Sequence, residues 1–297
     1  MEKDRINDTE KSFLSGKKRM DKLKVLMKYA GISVFEYFPD SDRMVLYNEQ
    51  LEEEKGIMPF LGQLGQICTI HPEDVQKMRE FLLGQTLGTV ELKLLKKGHY
   101  KRVLLDALQK EEGDQSVIGC IRDITEIRKR EELLEDQARR DSMTGLYNHD
   151  TGKLLVNEYL REKRMDASSG LLMLDVDHFK KINDSYGHVM GDVVLRCIGQ
   201  ALKNIPVQSD SFRFGGDEFC ILFTDCGKGA ILESLKQVQD AVNCCILEQT
   251  GQSVSVSIGV AKYCSGFSVS QLIRFADEAM YRSKRKEDNS ITVYETN

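Results

Sequence analysis

The chain has 297 residues, of which 41% are hydrophobic and 30% charged, as is typical of a folded protein of about two domains. Its net charge of −5 excludes a global basic field that would recruit nucleic acid or an anionic membrane. No run approaches a membrane span, residues 1–10 lack the apolar core of a signal peptide, and the eight cysteines form no Cys-x-x-Cys pair. We therefore expect a cytoplasmic protein with no nucleic-acid partner and no disulfide framework.

The first part of the chain predicts a small domain built on a curved antiparallel sheet. Residues 1–20 are mostly charged or polar, and fit either a mobile arm or a helix that enters this domain. Within residues 21–127, β-prone runs occur at 32–38, 44–47, 89–95, 100–109 and 116–121, and a helix is predicted to open at 71–74. Cys68 and His71 have no further ligand at useful spacing, so packing and helix capping are favoured over a metal or haem site.

The end of this domain leads into a charged segment. Residues 119–126, Gly-Cys-Ile-Arg-Asp-Ile-Thr-Glu, resemble the end of a PAS sensor domain, where the last strand passes into an exit helix. The resemblance implies a PAS-like sensor of unknown ligand, or a plain dimerisation module. Residues 124–141 predict a connector helix whose apolar residues follow a and d spacing: Ile124, Ile127, Leu134 and Ala138. Two heptads fit either a solvated single helix or a parallel two-stranded connector.

Residues 141–297 alternate helices and strands, which predicts a mixed α/β domain. They open with Asp-Ser-Met-Thr-Gly-Leu-Tyr-Asn at 141–148. A buried strand is predicted at 170–175, and it ends at Asp175-Val176-Asp177, a position where ligands gather in sheet proteins. Helices are predicted to end near residues 164 and 203 and to cover 229–247 and 268–286, with strands at 254–261 and 291–294.

The strongest local pattern is Arg-Phe-Gly-Gly-Asp-Glu-Phe at 213–219. Apolar runs of period two at 212–214 and 219–223 flank a glycine pair, which predicts a β-hairpin. Asp217 and Glu218 would lie at its tip, where adjacent carboxylates repel each other and a divalent cation would relieve the repulsion. An ordinary exposed turn rich in glycine and aspartate is the alternative for the hairpin, and it would be favoured for Gly-Gly-Asp alone. For Asp175 and Asp177 the alternative is a pair of solubilising acids at a helix start, which does not explain why the hairpin carries a second acidic pair.

Taken together, these motifs resemble the GGDEF family of diguanylate cyclases over residues 141–297. The chain is therefore predicted to be an α+β protein, with a PAS-like N-terminal antiparallel sheet domain, a helical linker and a C-terminal GGDEF domain of the nucleotidyl-cyclase palm type. The resemblance implies condensation of two GTP molecules into cyclic di-GMP with release of pyrophosphate. Because each domain would hold one GTP, it also implies a homodimer formed through the connector and the PAS-like domain.

The resemblance assigns metal and catalytic roles by position. Asp175, the Val176 carbonyl, Asp217 and Glu218 would bind Mg²⁺, with Mn²⁺ as the alternative ion. Asp217 would also assist deprotonation of the ribose 3′-hydroxyl, and Glu218 would support the metal.

The resemblance also assigns substrate contacts. Asn183 and Asp192 would read the guanine edge, because an amide and a carboxylate match its acceptor and donor groups, and His188 would lie near the substrate. Phosphates would be held near helix starts by four groups: the backbone N–H groups of His178 and Phe179 and the side chains of Lys180 and Lys284.

Two departures from the family pattern bear on regulation and affinity. The Arg-x-x-Asp product-inhibition positions fall on Pro206 and Ser209, or on Val207 and Asp210 after a one-residue slip, so feedback through this site is not expected. An arginine that often follows the phosphate lysine is replaced by Asp288, which would weaken triphosphate binding unless Arg285 or Lys286 compensates.

Two other functions compete with the cyclase. A non-catalytic receptor that binds GTP or cyclic di-GMP is the main alternative, and a cyclase of altered base choice is the third. Retention of both hairpin acids favours the enzyme, and the pairing of Asn183 with Asp192 favours guanine.

Overall fold

The computed structural model describes residues 22, 25, 27–47, 52–64, 70–85, 88–96, 98–107, 116–162, 168–205, 208–224, 228–250, 253–286 and 290–295. The chain divides into two compact units, Met1–Leu133 and Leu134–Asn297. Several predicted features lie outside the described residues: the arm at 1–20, Cys68, Pro206, Val207 and Asp288. Within the described ranges, no helix has the length and apolar character needed to cross a bilayer.

The first unit contains an antiparallel sheet, as predicted, and the sheet has six strands, one more than the sequence indicated. Its strands are β1 (Ile32–Phe38), β2 (Arg43–Tyr47), β3 (Glu53–Ile57), β4 (Thr89–Lys96), β5 (His99–Ala107) and β6 (Val117–Asp123). They lie in the order β3-β2-β1-β6-β5-β4, and every neighbouring pair is antiparallel. β3 escaped prediction because Glu-Glu-Lys-Gly-Ile is the charged, glycine-containing sequence of an exposed edge strand.

One helix, α1 (Val75–Leu82), packs its apolar residues into the core of this sheet. The core is formed by alternate side chains of the strands together with Met78 and Phe81 of the helix. His71 caps the short 3₁₀ turn Pro72–Asp74 before α1, because its Nδ1 accepts a hydrogen bond from the Glu73 amide at 3.4 Å. The capping interpretation of His71 is therefore confirmed.

The connector helix α2 spans Thr125–Arg139. Its first turns are tied to the sheet of the first unit by charged contacts. Arg128 Nε lies 3.0 Å from Glu91 Oε2 on β4, and Arg102 Nη2 on β5 lies 2.8 Å from Glu132 Oε1. The start of the helix is thus held to β4 and β5 at two successive turns.

The apolar stripe of this helix is shorter than predicted. Ile124 precedes the helix and is only 6% exposed, and its amide donates to the Arg102 carbonyl at 2.9 Å. The prediction that Ile124 belongs to the apolar stripe of the connector was therefore wrong, because the residue is packed at the end of β6. Ile127 and Leu134 are 54% and 55% exposed, which fits both predicted alternatives, a solvated single helix and a two-stranded connector.

The second unit contains a five-stranded mixed sheet. Its strands are β7 (Gly170–Val176), β8 (Ser209–Gly215), β9 (Glu218–Phe223), β10 (Val256–Lys262) and β11 (Ile291–Val293), in the order β11-β10-β7-β9-β8. Only the β10–β11 pair is parallel among these. The described helices are α3 (His149–Arg161), α4 (Phe179–Tyr186), α5 (His188–Lys203), α6 (Lys228–Thr250) and α7 (Val269–Lys284).

Helices cover both faces of this sheet, so the central strands are buried on both sides. Phe219 and Ile221 of β9 pack in one cluster with α5 and α6, whereas Cys220 and Leu222 pack in the other with α3 and α7. Close approach of α7 depends on Gly259 of β10, where an added Cβ would lie 2.1 Å from backbone atoms of α7. The mixed α/β domain predicted from the sequence is confirmed.

One cysteine bears on the expectation that the chain has no disulfide framework. Cys197 on α5 is disulfide-bonded, and its partner is not among the described side chains. Cys120, Cys220 and Cys264 are free. Bond formation depends on which thiols face each other in the fold, which spacing along the sequence does not show.

Candidate active site

Two strand ends bring the predicted acidic residues together. β7 and β9 are antiparallel neighbours, and Asp175 lies directly opposite Glu218 in their register. Asp217 precedes Glu218 in the hairpin turn, where Gly216 takes the left-handed conformation at φ 53°. Asp175 is 4% exposed, whereas Asp217 and Glu218 are half-buried. The predicted hairpin is confirmed, and it delivers both tip acids to the end of a buried strand.

Burial of the acidic side chains is the main influence on the electrostatics of this site, and repulsion between neighbouring carboxylates adds to it. Burial, together with the negative charges of Asp217 and Glu218, raises the pKa of Asp175 to about 6, although Lys284 opposes the shift. The Lys284 ammonium lies 2.7 Å from Asp175 Oδ2. Burial, followed by the charges of Asp217 and Asp277, also raises the pKa of Glu218. A cation at this site would therefore be strongly favoured.

The donor set fits a hard divalent cation that also binds substrate. Carboxylates and main-chain carbonyls are the oxygen ligands that Mg²⁺ prefers. Among the described residues, no three Asp, Glu, His or Cys side chains close around one point, so side chains alone form no complete cage. Asp175, Asp217 and the carbonyl of buried Val176 would share the ion with phosphate oxygens and water. A buried oxygen of the adjacent Asp177, Oδ2, has no hydrogen-bond partner in the described structure and adds to the negative character.

The turn after β7 exposes the start of α4. Asp177 anchors this turn, since its Oδ1 accepts a hydrogen bond from Ser257 Oγ at 2.6 Å. His178 then adopts a left-handed conformation at φ 57°, which is uncommon for a residue other than glycine. Phe179 begins the helix and Lys180 is exposed in its first turn. Helix starts leave amide groups without intrahelical partners, so the geometry is compatible with the predicted phosphate contacts, whose roles stay predictions.

The predicted base-reading residues lie at the corner between α4 and α5. The corner turns at Gly187, with φ 82°, and the Gly187 amide donates to the Asn183 carbonyl at 2.9 Å. Asn183 on α4 and Asp192 on α5 are both half-buried, and His188 is exposed at the first position of α5. The structure therefore places these three residues around one corner, and their contacts with a base stay predictions.

Arg213 holds the hairpin turn, a role that the sequence did not reveal. Its Nε and Nη2 donate to the Gly216 carbonyl at 3.0 and 2.6 Å, and its Nη1 lies 3.3 Å from both carboxylate oxygens of Asp141. Burial opposes ionisation of Asp141, yet hydrogen bonds from Thr144 and the charge of Arg213 keep the pKa of Asp141 below its usual value. The sequence gives no signal for this pair, because the partners come from distant segments.

Asp277 is a second residue that the sequence did not single out. It lies on α7, two helical turns before Lys284, and its charge acts on Glu218. An exposed acid on an amphipathic helix is ordinarily a solvated surface residue, so no pattern distinguished it. It adds a further negative charge beside the acidic site.

Comparison with known proteins agrees with this geometry. The sequence model of the family "Diguanylate cyclase, GGDEF domain" matches residues 138–290, just over half of the chain. The chain is 32% identical over 181 residues to the diguanylate cyclase DgcM of Escherichia coli K12, and this alignment covers 60% of the chain and 44% of DgcM. It is 33% identical over 172 residues to the diguanylate cyclase DosC of the same strain, covering 55% of the chain and 37% of DosC.

Two solved structures resemble the second unit. The coiled coil and GGDEF domain of DgcB from Caulobacter crescentus, solved with c-di-GMP, has a TM-score of 0.53 and 26% identity, covering 57% of this chain and 93% of that one. The diguanylate cyclase SiaD from Pseudomonas aeruginosa, solved with its activator SiaC, has a TM-score of 0.51 and 30% identity, covering 57% and 66%. The chain spans less than half the length of the two curated relatives. Since the family match includes both acidic strand ends, the chain belongs to the GGDEF family of diguanylate cyclases.

Proposed function

We propose that the protein is a diguanylate cyclase that condenses two GTP molecules into cyclic di-GMP and releases pyrophosphate. The observation that carries this proposal is the pairing of Asp175 with Glu218 across β7 and β9, with Asp217 in the adjoining turn and Lys284 at 2.7 Å from Asp175. Acids on separate strands that meet beside a lysine suit phosphoryl-transfer chemistry, which depends on positioning and charge stabilisation. Membership of the family supports the same reaction.

Each of the site residues has a proposed task. Asp217 accepts the proton of the ribose 3′-hydroxyl, which frees that oxygen to attack the α-phosphorus of the second GTP. Lys284, Lys180 and the first amide groups of α4 hold the triphosphate. Asn183 and Asp192 bind the guanine edge, and His188 lies near the bound nucleotide.

Asp175, Asp217 and the Val176 carbonyl would hold Mg²⁺, or Mn²⁺ in its place, and Glu218, opposite Asp175 on β9, would support the metal. Such an ion neutralises charge that develops on the phosphate and lowers the pKa of a bound hydroxyl. The raised pKa of Asp175 supports this assignment, because a buried carboxylate of that kind is stabilised by a positive charge.

The reaction requires two GTP sites to face each other, so we place activity in a homodimer. The exposed Ile127 and Leu134 of α2 supply the apolar contacts for a parallel connector. The N-terminal sheet unit would act as the PAS-like regulator of this arrangement. Because GTP is an intracellular metabolite, we place the reaction in the cytoplasm.

The decisive experiment is product analysis. The purified chain is incubated with GTP and Mg²⁺, and in parallel with Mn²⁺, and the nucleotides are separated by chromatography. Asp217→Ala should abolish cyclic di-GMP while the thermal unfolding temperature stays close to that of the parent. Asp240→Ala, at an exposed position on α6, is the matched control and should retain activity. Full activity in Asp217→Ala would refute the proposal.

The same product analysis, together with a GTP-binding measurement, distinguishes the cyclase from a non-catalytic receptor and from a cyclase of altered base choice. GTP binding without product in either metal would identify a non-catalytic receptor. Faster turnover of ATP than of GTP would identify a cyclase of altered base choice.

A further inference from the structure

Gly191, in the first turn of α5, lies directly against the side chain of Asn183. A Cβ atom added at Gly191 would stand 2.1 Å from Asn183 Oδ1 and 3.1 Å from both Asn183 Cγ and Phe179 Cζ. The first distance is far shorter than any van der Waals contact between carbon and oxygen.

The backbone does not explain this glycine. Gly191 is helical and is not among the residues with positive φ, and alanine is ordinarily the more favourable residue inside a helix. What requires glycine is therefore mainly the contact with Asn183, to which the tighter-than-usual approach of Phe179 Cζ adds. Among the described residues, the Asn183 carboxamide has no hydrogen-bond partner, and its close approach to Gly191 is the contact that a larger side chain at position 191 would remove.

We propose that Gly191 is a positioning residue for recognition of the nucleotide base. Its missing side chain lets the Asn183 carboxamide lie against the first turn of α5, next to Asp192. This inference rests on the proposed function, in which Asn183 and Asp192 read guanine. A side chain at position 191 would push the carboxamide aside, and hydrogen bonds tolerate displacements of only a few tenths of an ångström.

The test is a double-mutant cycle on the full chain, with Gly191→Ala, Asn183→Ala and the combined variant. Gly191→Ala should raise the KM for GTP about tenfold, as expected when one hydrogen bond to the base is lost, and should leave kcat nearly unchanged. Asn183→Ala should raise KM by a similar factor. The combined variant should come close to Asn183→Ala alone, because the severe clash with the carboxamide is gone and the new methyl meets only Phe179 Cζ, at 3.1 Å, where a shift of a few tenths of an ångström relieves the contact.

Gly199→Ala is the matched control. Gly199 is a buried glycine of the same helix, and an added Cβ there would lie 2.8 Å from Thr144 Cβ. This variant should lower the thermal unfolding temperature without changing KM, and its effects should add to those of Asn183→Ala. Additivity at position 199 and non-additivity at position 191 would show that Gly191 acts through Asn183.

Thermal unfolding keeps the proposal testable if Gly191→Ala folds poorly. In that case the combined variant should recover the unfolding temperature of Asn183→Ala. Equal effects of Gly191→Ala in both backgrounds, or an unchanged KM in a folded Gly191→Ala protein, would overturn the inference. A parent protein that makes no product would refute the proposed function instead, while the unfolding cycle would still decide the Gly191–Asn183 contact.

Discussion

The ammonium of Lys284 lies 2.7 Å from the carboxylate of Asp175, and joins the last residue of α7 to the end of β7. Asp175 is almost completely buried, whereas the Lys284 side chain is 37% exposed. The glycine at position 259 lets the backbone of α7 lie against β10 at Ala276 and Met280, and Lys284 follows one turn later in the same helix. The lysine can therefore contact both the buried acid and a phosphate in the solvent-facing part of the site.

Removing the lysine should weaken substrate binding. We expect Lys284→Ala to raise the KM for GTP about tenfold or more, since a hydrogen bond to a charged group contributes about 1.5–3 kcal/mol. Steady-state kinetics at saturating Mg²⁺ would measure the change. Lys236→Ala, exposed on α6, is the matched control and should behave as the parent. An unchanged KM would remove Lys284 from the triphosphate site.

Burial of Asp175 predicts that this functional residue lowers the stability of the folded protein at neutral pH. Its pKa of about 6 exceeds the usual value of 3.8, so the folded state binds the proton more tightly than the unfolded state. Its contribution to stability is therefore fully present below about pH 3.8, and it is lost as the pH rises through about 6. At neutral pH the ionised, buried carboxylate is destabilising.

Asp175→Asn should remove the destabilisation that the ionised, buried carboxylate causes. We expect the variant to lose cyclase activity, yet to unfold at a higher temperature than the parent at pH 8, by roughly 2–4 °C for each kcal/mol gained. The difference in unfolding temperature between the two proteins should shrink toward pH 5. Comparing the pair cancels the titration of groups that do not interact with residue 175, which leaves Asp175 and its close neighbours as the source of the difference. A variant that is less stable than the parent at pH 8 would contradict the prediction.

Local sequence patterns predicted the parts of the fold that depend on short-range chemistry. The hairpin followed from alternating apolar residues around Gly215-Gly216, and β7 from an unbroken apolar run that ends at Asp175. Both patterns are local, since each lies within one strand or one hairpin. The placement of Lys284 came only from the family resemblance, since nothing in a C-terminal amphipathic helix indicates which strand end it will meet.

Contacts between distant segments could not be predicted. Arg213 meets Asp141, and Asp277 acts on Glu218, only after the sheet and its helices have assembled. The edge strand β3 carries charges and a glycine, which hide its strand character. Ile124 fits the spacing of the connector, but the end of β6 buries it before the helix begins.

Arg213 binds both the Gly216 carbonyl and the Asp141 carboxylate, and we call these contacts the Arg213 clamp. They predict an effect on the catalytic rate that can be measured separately from the effect on stability. The guanidinium fork of Arg213 holds the Gly216 carbonyl and Asp141 at the same time, and a lysine cannot reproduce both contacts. We expect Arg213→Lys to reduce kcat about tenfold and to lower stability by about 1–3 kcal/mol, because the turn that carries Asp217 loses its anchor. Asp141→Asn should show the same changes in milder form.

Chemical denaturation and steady-state kinetics would test this clamp together. Arg196→Ala, at an exposed position of α5, serves as the control and should leave both quantities unchanged. Loss of stability with full kcat in Arg213→Lys would mean that the clamp supports the fold but does not position the catalytic turn.

The exposed apolar residues of the connector helix α2 lead us to expect that activity depends on protein concentration. Ile127 and Leu134 lie seven residues apart on one side of α2, and both are more than half exposed, so glutamate at either position should not disturb the fold. We expect Ile127→Glu and Leu134→Glu to weaken the dimer, which sedimentation velocity would measure. Specific activity should fall on dilution at concentrations where the parent stays active, because in the proposed reaction each protomer holds only one of the two GTP molecules.

Lys129→Glu is the control, since residue 129 lies on the opposite side of the helix from Ile127 and is exposed. It introduces the same acidic side chain outside the apolar stripe, so it should leave the sedimentation profile unchanged. If the two stripe variants sedimented as the parent does, dimerisation would have to involve other surfaces. If they became monomeric and kept full specific activity at every dilution, the requirement for two facing catalytic domains would be wrong, because a lone protomer could then complete the reaction.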